Sequence, residues 1–405
     1  MYLNLHILFS FAAANPNRDD AGSPKSIDYG GATRSRISSQ AMTRPKRHSF
    51  EAGSDADRTF RSALVAEKIT ELVEKLIAEA GDTITEQQTA ALRATATKTI
   101  TSLTAKDREK EPKQPKRRGK GAATEPAAAD GDTETADADE ETVDGPKATL
   151  IWLAEKEIRA AAHKAFAGIT AGEPPALAIE DFVQSQRTDS LTIAGFGRMF
   201  AQRPDLAIEA AIQRSHAFTT HATVSEVDYF TAVDDLRNVD RGAGHLGINE
   251  LTGGVYYWHA NLSVRQLAAA WAGIDRPDAA ARLTALFEAL MLALPTGRQA
   301  TTAYHTLPAL VLAVPAKLPA SLQTAFETPI AARNGSGYLA PSVDGLVREH
   351  TRTVAALPSR FRPARYAGTA ADTVTSGDHA QPAGSLEDLA AWCAEQVLAA
   401  AAQLS

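Results

Sequence analysis

The residues of this sequence with the clearest chemistry lie in one basic segment near the amino terminus. From Tyr29 to Phe50 it reads YGGATRSRISSQAMTRPKRHSF, with five arginines and lysines and no carboxylate. Arginines bind phosphate oxygens through charge-assisted hydrogen bonds, and the hydroxyl and N–H groups at a helix start bind them as well. The segment therefore indicates a phosphate-binding surface. A solvated basic loop, and arginines that pair with acids elsewhere in the fold, are the alternatives.

Local structure decides whether these cations share one surface. Arg34 and Arg36 are two residues apart, so on an extended chain their side chains point to one side. Ser38 is typical of the residue that caps a helix, and Arg44 and Arg47 are three residues apart on the helix that follows. We predict that Arg34, Arg36, Arg44 and Arg47 form one continuous phosphate-binding strip.

Signatures of catalysis and of metal binding are scarce. The sequence lacks the P-loop, the G-x-G-x-x-G dinucleotide motif, the H-E-x-x-H zinc motif and the G-x-S-x-G nucleophile elbow. No two of the ten histidines are four residues apart, and a single cysteine cannot build a cysteine-rich zinc site. Asp234 and Asp235 form a candidate carboxylate pair, but adjacent side chains on an extended segment diverge. The sequence therefore predicts no enzyme, no cofactor and no metal site.

The net charge of −7 conceals a strong segregation of charge. Residues 106–120 contain eight basic and three acidic side chains, whereas residues 125–144 contain nine acidic side chains and no basic one. The segment 105–147 has no aromatic residue, so burial cannot offset its ordering entropy. We predict a disordered polyampholyte loop over 105–147, whose basic half contacts either nucleic acid or its own acidic half.

The start of the chain is predicted to be a β-strand. Leu3, Leu5, Ile7 and Phe9 recur at every second position, which is typical of a strand. A secretory leader is disfavoured because no basic residue precedes the apolar run. No stretch reaches the roughly 20 apolar residues that span a bilayer. The sequence therefore predicts a cytoplasmic protein with no membrane partner.

Helical and strand patterns alternate along the 405 residues, a length that suits one large domain with insertions or two domains. Helical spacing dominates 55–190, and strand-like runs occur at 216–224, 253–261 and 301–314. This order favours an α+β fold with a sheet on one side and helices on the other.

Several motifs of the chain together resemble one family. They are NRDD at 17–20, YGGATRSRISSQ at 29–40, the pair HAFTTHATVSEVDYFTAVDDL and AGHLGINELTGGVYYWHAN within 216–261, and RQATTAYHTLPALVLAV at 298–314. In this order and spacing they are similar to the backbone subunit of type I-E CRISPR Cascade, CasC of the "Cas-seven" family. Outside 105–147 and the C-terminal tail, the resemblance spans the chain.

The resemblance implies a hand-shaped α+β architecture. A modified RRM-like, ferredoxin-like palm would comprise 1–54 and 191–405, a helical fingers insertion would comprise 55–190, and a β-hairpin thumb would lie at 219–254. It also implies a non-catalytic subunit whose copies form a helical filament on the guide RNA (crRNA) in antiviral defence. The implied partners are crRNA, target DNA through the guide heteroduplex, other copies of the chain and the remaining Cascade subunits.

Position by position, the resemblance also implies the residues that bind RNA. The palm residues that would contact phosphates and sugars are Arg18, Lys25, Arg34, Arg36, Ser38, Gln40, Arg44 and Arg47. Met199, with Tyr229 and Phe230 on the thumb, would interrupt base stacking and flip out nucleotides at intervals. The sequence departs from the family at Ala32, Thr33 and Thr43, so that the remaining arginines would carry more of the backbone affinity.

Two other functions fit parts of the pattern. A related CRISPR backbone subunit that cleaves target RNA would use a loop aspartate, with Asp19, Asp20, Asp234 and Asp235 as candidates. A protein–protein scaffold outside CRISPR systems would use its arginines only for ion pairs, and it would not co-purify with RNA.

Overall fold

A ten-stranded mixed sheet forms the centre of the protein. The computed structural model describes residues 1–104, 150–232, 245–332, 337–374 and 379–404, so the predicted loop 105–147 and the pair Asp234 and Asp235 lie outside the described residues. In that part of the chain the strands are β1 (Tyr2–Ala14), β2 (Ser26–Tyr29), β3 (Ala32–Ile37), β4 (Thr59–Ser62), β5 (Ile151–Ala154), β6 (Ile212–Arg214), β7 (Ala217–Thr219), β8 (Glu226–Ala232), β9 (His245–Ser263), β10 (Leu310–Ala316), β11 (Ala364–Ala367) and β12 (Ala380–Pro382). The α-helices are α1 (Ser39–Ala52), α2 (Val65–Glu79), α3 (Glu86–Thr101), α4 (Glu155–Thr170), α5 (Leu191–Phe196), α6 (Val264–Ala270), α7 (Ala279–Leu292), α8 (Gln299–Thr302), α9 (Leu339–Ala356) and α10 (Leu386–Ala401).

The predicted N-terminal strand is confirmed, and it lies in the middle of the sheet. The strand order is β12-β11-β10-β1-β9-β7-β3-β2, with β6 and β8 also paired to β9. On one face Leu5 and Ile7 pack among the residues of α7 and α10, and on the other face Leu8 packs against α9 and its neighbours. Because both faces of β1 are covered, its apolar run is almost continuous. The α+β fold class predicted from the sequence is confirmed.

The helices α2, α3 and α4 build a second core of their own beside the sheet. Val73, Leu92 and Ile158 belong to this core and are fully buried. The short sheet β4–β5 closes it, with Thr59 opposite Ala154. The helical spacing over 55–190 did not indicate this sheet, because each strand has only four residues. No helix within the described residues is long and apolar enough to span a membrane.

A buried ion pair joins the chain near the second core to α7. Arg282 Nε donates to Asp57 Oδ2 at 2.9 Å, and the Leu191 N–H donates to Asp57 Oδ1 at 2.7 Å. Asp57 is fully buried, and the Arg282 guanidinium lies 4.9 Å from the centre of the Trp271 ring. The carboxylate thus connects segments that are more than a hundred residues apart in the sequence.

Buried histidines lie between the sheet and α9. The rings of His6 and His259 stack at 4.9 Å, and the Tyr257 hydroxyl lies 2.9 Å from His6 Nδ1. The Nε2 atoms of His259 and His350 are buried and have no hydrogen-bond partner among the described residues. Burial lowers the pKa of each of these two histidines to about 4. Burial, followed by the charges of His259 and His350, also lowers the pKa of His6. Near neutral pH all three rings are therefore neutral in the folded protein.

Acidification should consequently destabilise the fold. A histidine with an unfolded pKa near 6.5 and a folded pKa near 4 contributes its full stability above pH 6.5 and loses it as the pH falls towards 4. We expect the free energy of unfolding to fall by about 2 kcal/mol for each of His259 and His350 between pH 7.5 and pH 5. Urea titrations at the two pH values measure this change. In His350→Leu the free energy of unfolding should fall less between the two pH values, because the contribution of His350 is removed. A pH dependence equal to that of the wild type would contradict the role given to His350.

Candidate nucleic-acid interface

A cleft of about 910 Å³ opens where the C-terminal end of β1 meets α1 and the segment before β10. We call it the basic cleft, because the charged side chains that line it are all cationic: Arg18, Lys25, Arg36, Arg44, Arg47, Arg61 and Arg298. Among the described residues, no aspartate or glutamate lines it. Arg18, Lys25, Arg36 and Arg44 make no ion pair within the described part of the chain. The surface thus attracts anions and has few internal counter-charges.

The loop with the NRDD motif positions the first wall of the cleft. Asn17 Oδ1 accepts a hydrogen bond from the Ser38 N–H at 2.8 Å, and the Lys25 N–H donates to the Asn17 carbonyl at 3.1 Å. Asp19 Oδ1 accepts hydrogen bonds from the N–H groups of Ala21 and Ser23, both at 2.9 Å. The bond to Ser38 connects the loop to the junction of β3 and α1, and the other bonds stabilise the loop itself. Asp19 Oδ1 thus stabilises the turn that this loop makes.

The predicted helix start is confirmed and forms the floor of the cleft. Ser38 is the N-cap of α1, and its Oγ accepts a hydrogen bond from the Ala41 N–H at 3.1 Å. No acidic residue occupies the first turn of this helix. Gln40 and Arg44, one turn further on, line the cleft. The positive end of the α1 dipole therefore adds to the arginine charges.

Seven of the eight RNA-binding residues implied by the sequence line the basic cleft: Arg18, Lys25, Arg36, Ser38, Gln40, Arg44 and Arg47. Arg47 is only 6% exposed, because it forms an ion pair with Glu51 at 3.2 Å and donates to Thr59 Oγ1 at 3.1 Å. The pKa of Glu51 is raised, mainly by burial. Arg47 is therefore held in place by the fold, whereas Arg44 is exposed.

Arg34 is the exception, and the predicted strip of four arginines is wrong at this position. Its side chain is fully buried and donates to the carbonyls of Thr219 at 2.9 Å and Phe326 at 3.0 Å. The chain at Glu327 packs so closely on the β2–β3 turn that a Cβ on Gly30 would overlap the Glu327 carbonyl. A distant segment therefore covers Arg34, and strand periodicity alone cannot reveal such a cover. Burial lowers the pKa of Arg34, whose partners include no carboxylate.

Lys46 also belongs to the basic segment and also serves the fold. Its ammonium group is buried, donates to the carbonyls of Leu290 and Ala293 at 2.7 Å each, and lies 4.4 Å from the centre of the Trp258 ring. Burial lowers the pKa of Lys46 to about 7. The contact connects α1 to the C-terminal end of α7, from which the second wall of the cleft begins.

The sequence-based site missed three cleft residues with useful chemistry: Arg61, Arg298 and His216. Arg61 lies on β4, in a stretch with helical spacing, and Arg298 opens the RQATTAY motif, so only the motif offered a signal. His216 Nδ1 accepts a hydrogen bond from the Ser39 N–H at 3.0 Å and lies 3.3 Å from Arg36 Nη1. Its proton therefore lies on Nε2. Burial, Arg36 and Lys25 lower the pKa of His216.

The hairpin β8–β9 presents its two adjacent aromatic residues on opposite faces, as neighbours on a strand must. Tyr229 pairs with Ile248, and these side chains are 65% and 61% exposed. Phe230 pairs with Gly247, and a Cβ on that glycine would lie 2.1 Å from the Phe230 ring. Met199 is 73% exposed and does not line the basic cleft. The joint role of Met199, Tyr229 and Phe230 in base stacking stays a prediction.

Comparison with known proteins agrees with this architecture. A solved structure described as "CRISPR RNA-guided surveillance complex, pre-nicking" contains a chain that matches 99% of this chain and 100% of its own length, with 25% sequence identity and a TM-score of 0.71. A second, "CRISPR RNA-guided surveillance complex", matches with the same coverage, 21% identity and a TM-score of 0.57, and it supports the fold alone. No curated protein matches the sequence significantly. A family model of the CT1975-like proteins matches residues 3–392, and the chain therefore belongs to the CT1975-like protein family.

Proposed function

We propose that this protein is a crRNA-binding backbone subunit of a CRISPR surveillance complex. The observation that carries the proposal is the basic cleft, in which seven cations and the start of α1 face one groove that no described carboxylate lines. The match over 99% of the chain to a subunit of a CRISPR RNA-guided surveillance complex supports it. Such a groove fits the phosphate backbone of a nucleic acid.

Contacts of this kind suit a subunit that must bind guides of any sequence. Arginine, lysine, serine and glutamine side chains in the cleft would contact phosphates and riboses, which position a strand without reading it. Base edges would then stay free to pair with target DNA. In this proposal the ten-stranded sheet is the palm, the core built by α2, α3 and α4 belongs to the fingers, and the hairpin β8–β9 is the thumb.

The finer assignment rests on the sequence motifs. NRDD at 17–20 and the stretch ending in RISSQ at 40 resemble the type I-E subunit, so we assign the protein to a type I-E Cascade acting in the cytoplasm. Several copies would form a helical filament along one crRNA and contact the remaining Cascade subunits. We propose that the subunit is not an enzyme. The two turn hydrogen bonds to Asp19 Oδ1 support this view for the NRDD loop.

Purification of the full-length protein without other subunits tests the proposal. The A260/A280 ratio and an extraction with ribonuclease and deoxyribonuclease controls should show bound RNA, and added crRNA should give filaments in electron micrographs. Protein that stays free of nucleic acid at low salt, and binds no added single-stranded RNA, would contradict RNA binding. Divalent-metal-dependent RNA cleavage that a single Asp→Ala substitution abolishes would contradict the non-catalytic role.

The hairpin offers a prediction of its own. Replacing Tyr229 and Phe230 together by alanine should leave the salt dependence of RNA binding unchanged, because neither side chain carries charge. The bases at regular intervals along the guide should change their chemical reactivity, since an apolar wedge that unstacks bases is lost. Because the two rings lie on opposite faces of the hairpin, only one of the two single-alanine variants should reproduce the change in base reactivity. Chemical probing of the bound guide measures it, and a wild-type pattern in the double variant would contradict the wedge.

A further inference from the structure

The hairpin β8–β9 is attached to the rim of the basic cleft by two neighbouring residues of β9. Arg298 Nη1 donates to Asn249 Oδ1 at 2.7 Å. One residue further, the Glu250 carbonyl accepts a hydrogen bond from Asn15 Nδ2 at 3.0 Å, and the same amide group donates to the Gly22 carbonyl at 3.1 Å. Asn15 directly precedes Pro16 and Asn17, which lie in the first wall of the cleft. Arg298 lies in the second wall, which the segment 295–301 forms. The base of the hairpin therefore contacts both walls.

The two walls also pack directly on each other at this point. A Cβ on Gly297 would lie 2.5 Å from the Pro16 carbonyl oxygen, so only glycine fits there. The next residue, Arg298, has a left-handed backbone with φ of 51°, and the Thr302 hydroxyl donates to its carbonyl at 2.8 Å. A non-glycine residue in this conformation is strained, and such strain concentrates at functional sites. The surrounding contacts thus fix the backbone of Arg298 closely.

Two polar atoms at this junction remain unsatisfied. Asn15 Oδ1 and Arg298 Nε are both buried, and neither has a hydrogen-bond partner in the part of the chain that the structure describes. A buried donor or acceptor without a partner costs desolvation free energy. The hydrogen-bonding capacity of this junction is therefore not fully used.

We propose that Arg298 couples occupation of the basic cleft to the orientation of the hairpin, an inference that rests on the proposed RNA-binding function. Arg298 lines the cleft, and its guanidinium group donates to Asn249. A phosphate bound at Arg298 forms charge-assisted hydrogen bonds, restricts the guanidinium and, through Asn249, orders the hairpin. Because coupling between two sites is reciprocal, a hairpin released from Arg298 weakens RNA binding by the same factor by which RNA orders the hairpin.

Hydrogen exchange of the hairpin residues 226–232 and 247–251 tests this coupling, with and without a single-stranded RNA of mixed sequence. In the wild type, RNA should slow exchange in both strands. In Asn249→Ala, exchange without RNA should be faster, the slowing by RNA should be largely lost, and the affinity for RNA should fall by about fivefold or more. The arginines of the cleft are all retained in this variant, so a loss of affinity reports the coupling.

Matched controls separate the contact from general effects on the hairpin. Thr231→Ala, on the same hairpin and exposed, should behave as the wild type. Asn249→Asp keeps an acceptor for Arg298 and should restore slow exchange in the free protein, whereas Thr231→Asp adds the same charge without the contact. If the wild type binds RNA but hairpin exchange does not respond, or if Asn249→Ala matches the wild type, the coupling is wrong. If the wild type binds no RNA, the proposed function itself fails.

Discussion

Replacing Arg36 and Arg44 together by alanine should lower the magnitude of the slope of log K against log salt concentration by about 1.4 per subunit. Each phosphate contact with single-stranded RNA contributes about 0.7 to this slope through counterion release. Both side chains line the basic cleft, and neither forms an ion pair within the described residues. The effect should be equal for guides of any sequence, because phosphate contacts do not read bases. Fluorescence anisotropy over a series of salt concentrations measures the slope.

Because several copies would bind one guide, the loss multiplies along the RNA, and filament formation should fail before the fold does. The melting temperature of the double variant should stay close to that of the wild type, since neither arginine forms an ion pair within the described residues and the long hydrogen bonds of Arg36 are exposed to solvent. A double variant that keeps the wild-type slope, or one that unfolds, would show that these arginines serve the structure.

Arg34→Ala provides the contrast, although it removes an arginine from the same strand as Arg36. It leaves the buried carbonyls of Thr219 and Phe326 without their donor, so we expect a loss of about 3 kcal/mol or more in the free energy of unfolding. The folded fraction should bind RNA with the wild-type salt slope. Combined unfolding and anisotropy measurements therefore distinguish an arginine of the core from the arginines of the cleft.

Asp57→Ala should be among the most destabilising single substitutions in the protein. It leaves the Arg282 guanidinium buried without its carboxylate and removes the acceptor of the Leu191 N–H. Breaking a buried ion pair by removal of one partner costs about 3–5 kcal/mol. Urea denaturation followed by circular dichroism should show a lower midpoint with an unchanged slope.

Asp55→Ala is the matched control, two residues away on the same turn. Its carboxylate also pairs with an arginine, Arg58 at 2.6 Å, but its side chain is 86% exposed. Exposed ion pairs contribute about 0–1 kcal/mol, so this variant should stay close to the wild type. Equal losses in the two aspartate variants would contradict the role given to the buried pair.

Features that depend on local spacing could be predicted from the sequence. The alternation of Leu3, Leu5 and Ile7 indicated the central strand, and Ser38 indicated the start of the helix that forms the floor of the cleft. The motifs at 17–20 and 29–40 contain four of the seven cleft residues that the resemblance implied, and the other three, Lys25, Arg44 and Arg47, lie close to them in the sequence. In each case the signal lies within a few residues of the structure that it predicts.

Features that depend on distant segments could not be predicted. Arg34 and Arg36 are equivalent by strand periodicity, and they differ because residues near 326 cover only the first of them. Arg298 lines the cleft from a segment that is distant in the sequence, and apart from its place in the RQATTAY motif no local pattern marks it. The pairing of Asp57 with Arg282 spans 225 residues, and many other carboxylates in the sequence were equally plausible partners.

The near absence of acidic partners in the basic cleft has a consequence for the protein before it meets RNA. Four of its cations, Arg18, Lys25, Arg36 and Arg44, line a shared groove in which no carboxylate of the described residues lies, so they repel one another. Like charges held close together destabilise a compact state, and an anion that binds only the folded state restores the loss by mass action. In the proposed function, the guide would act as the counter-ion that the basic cleft lacks. An isolated subunit would accordingly be most stable with a bound polyanion, so that RNA binding and folding would be thermodynamically coupled.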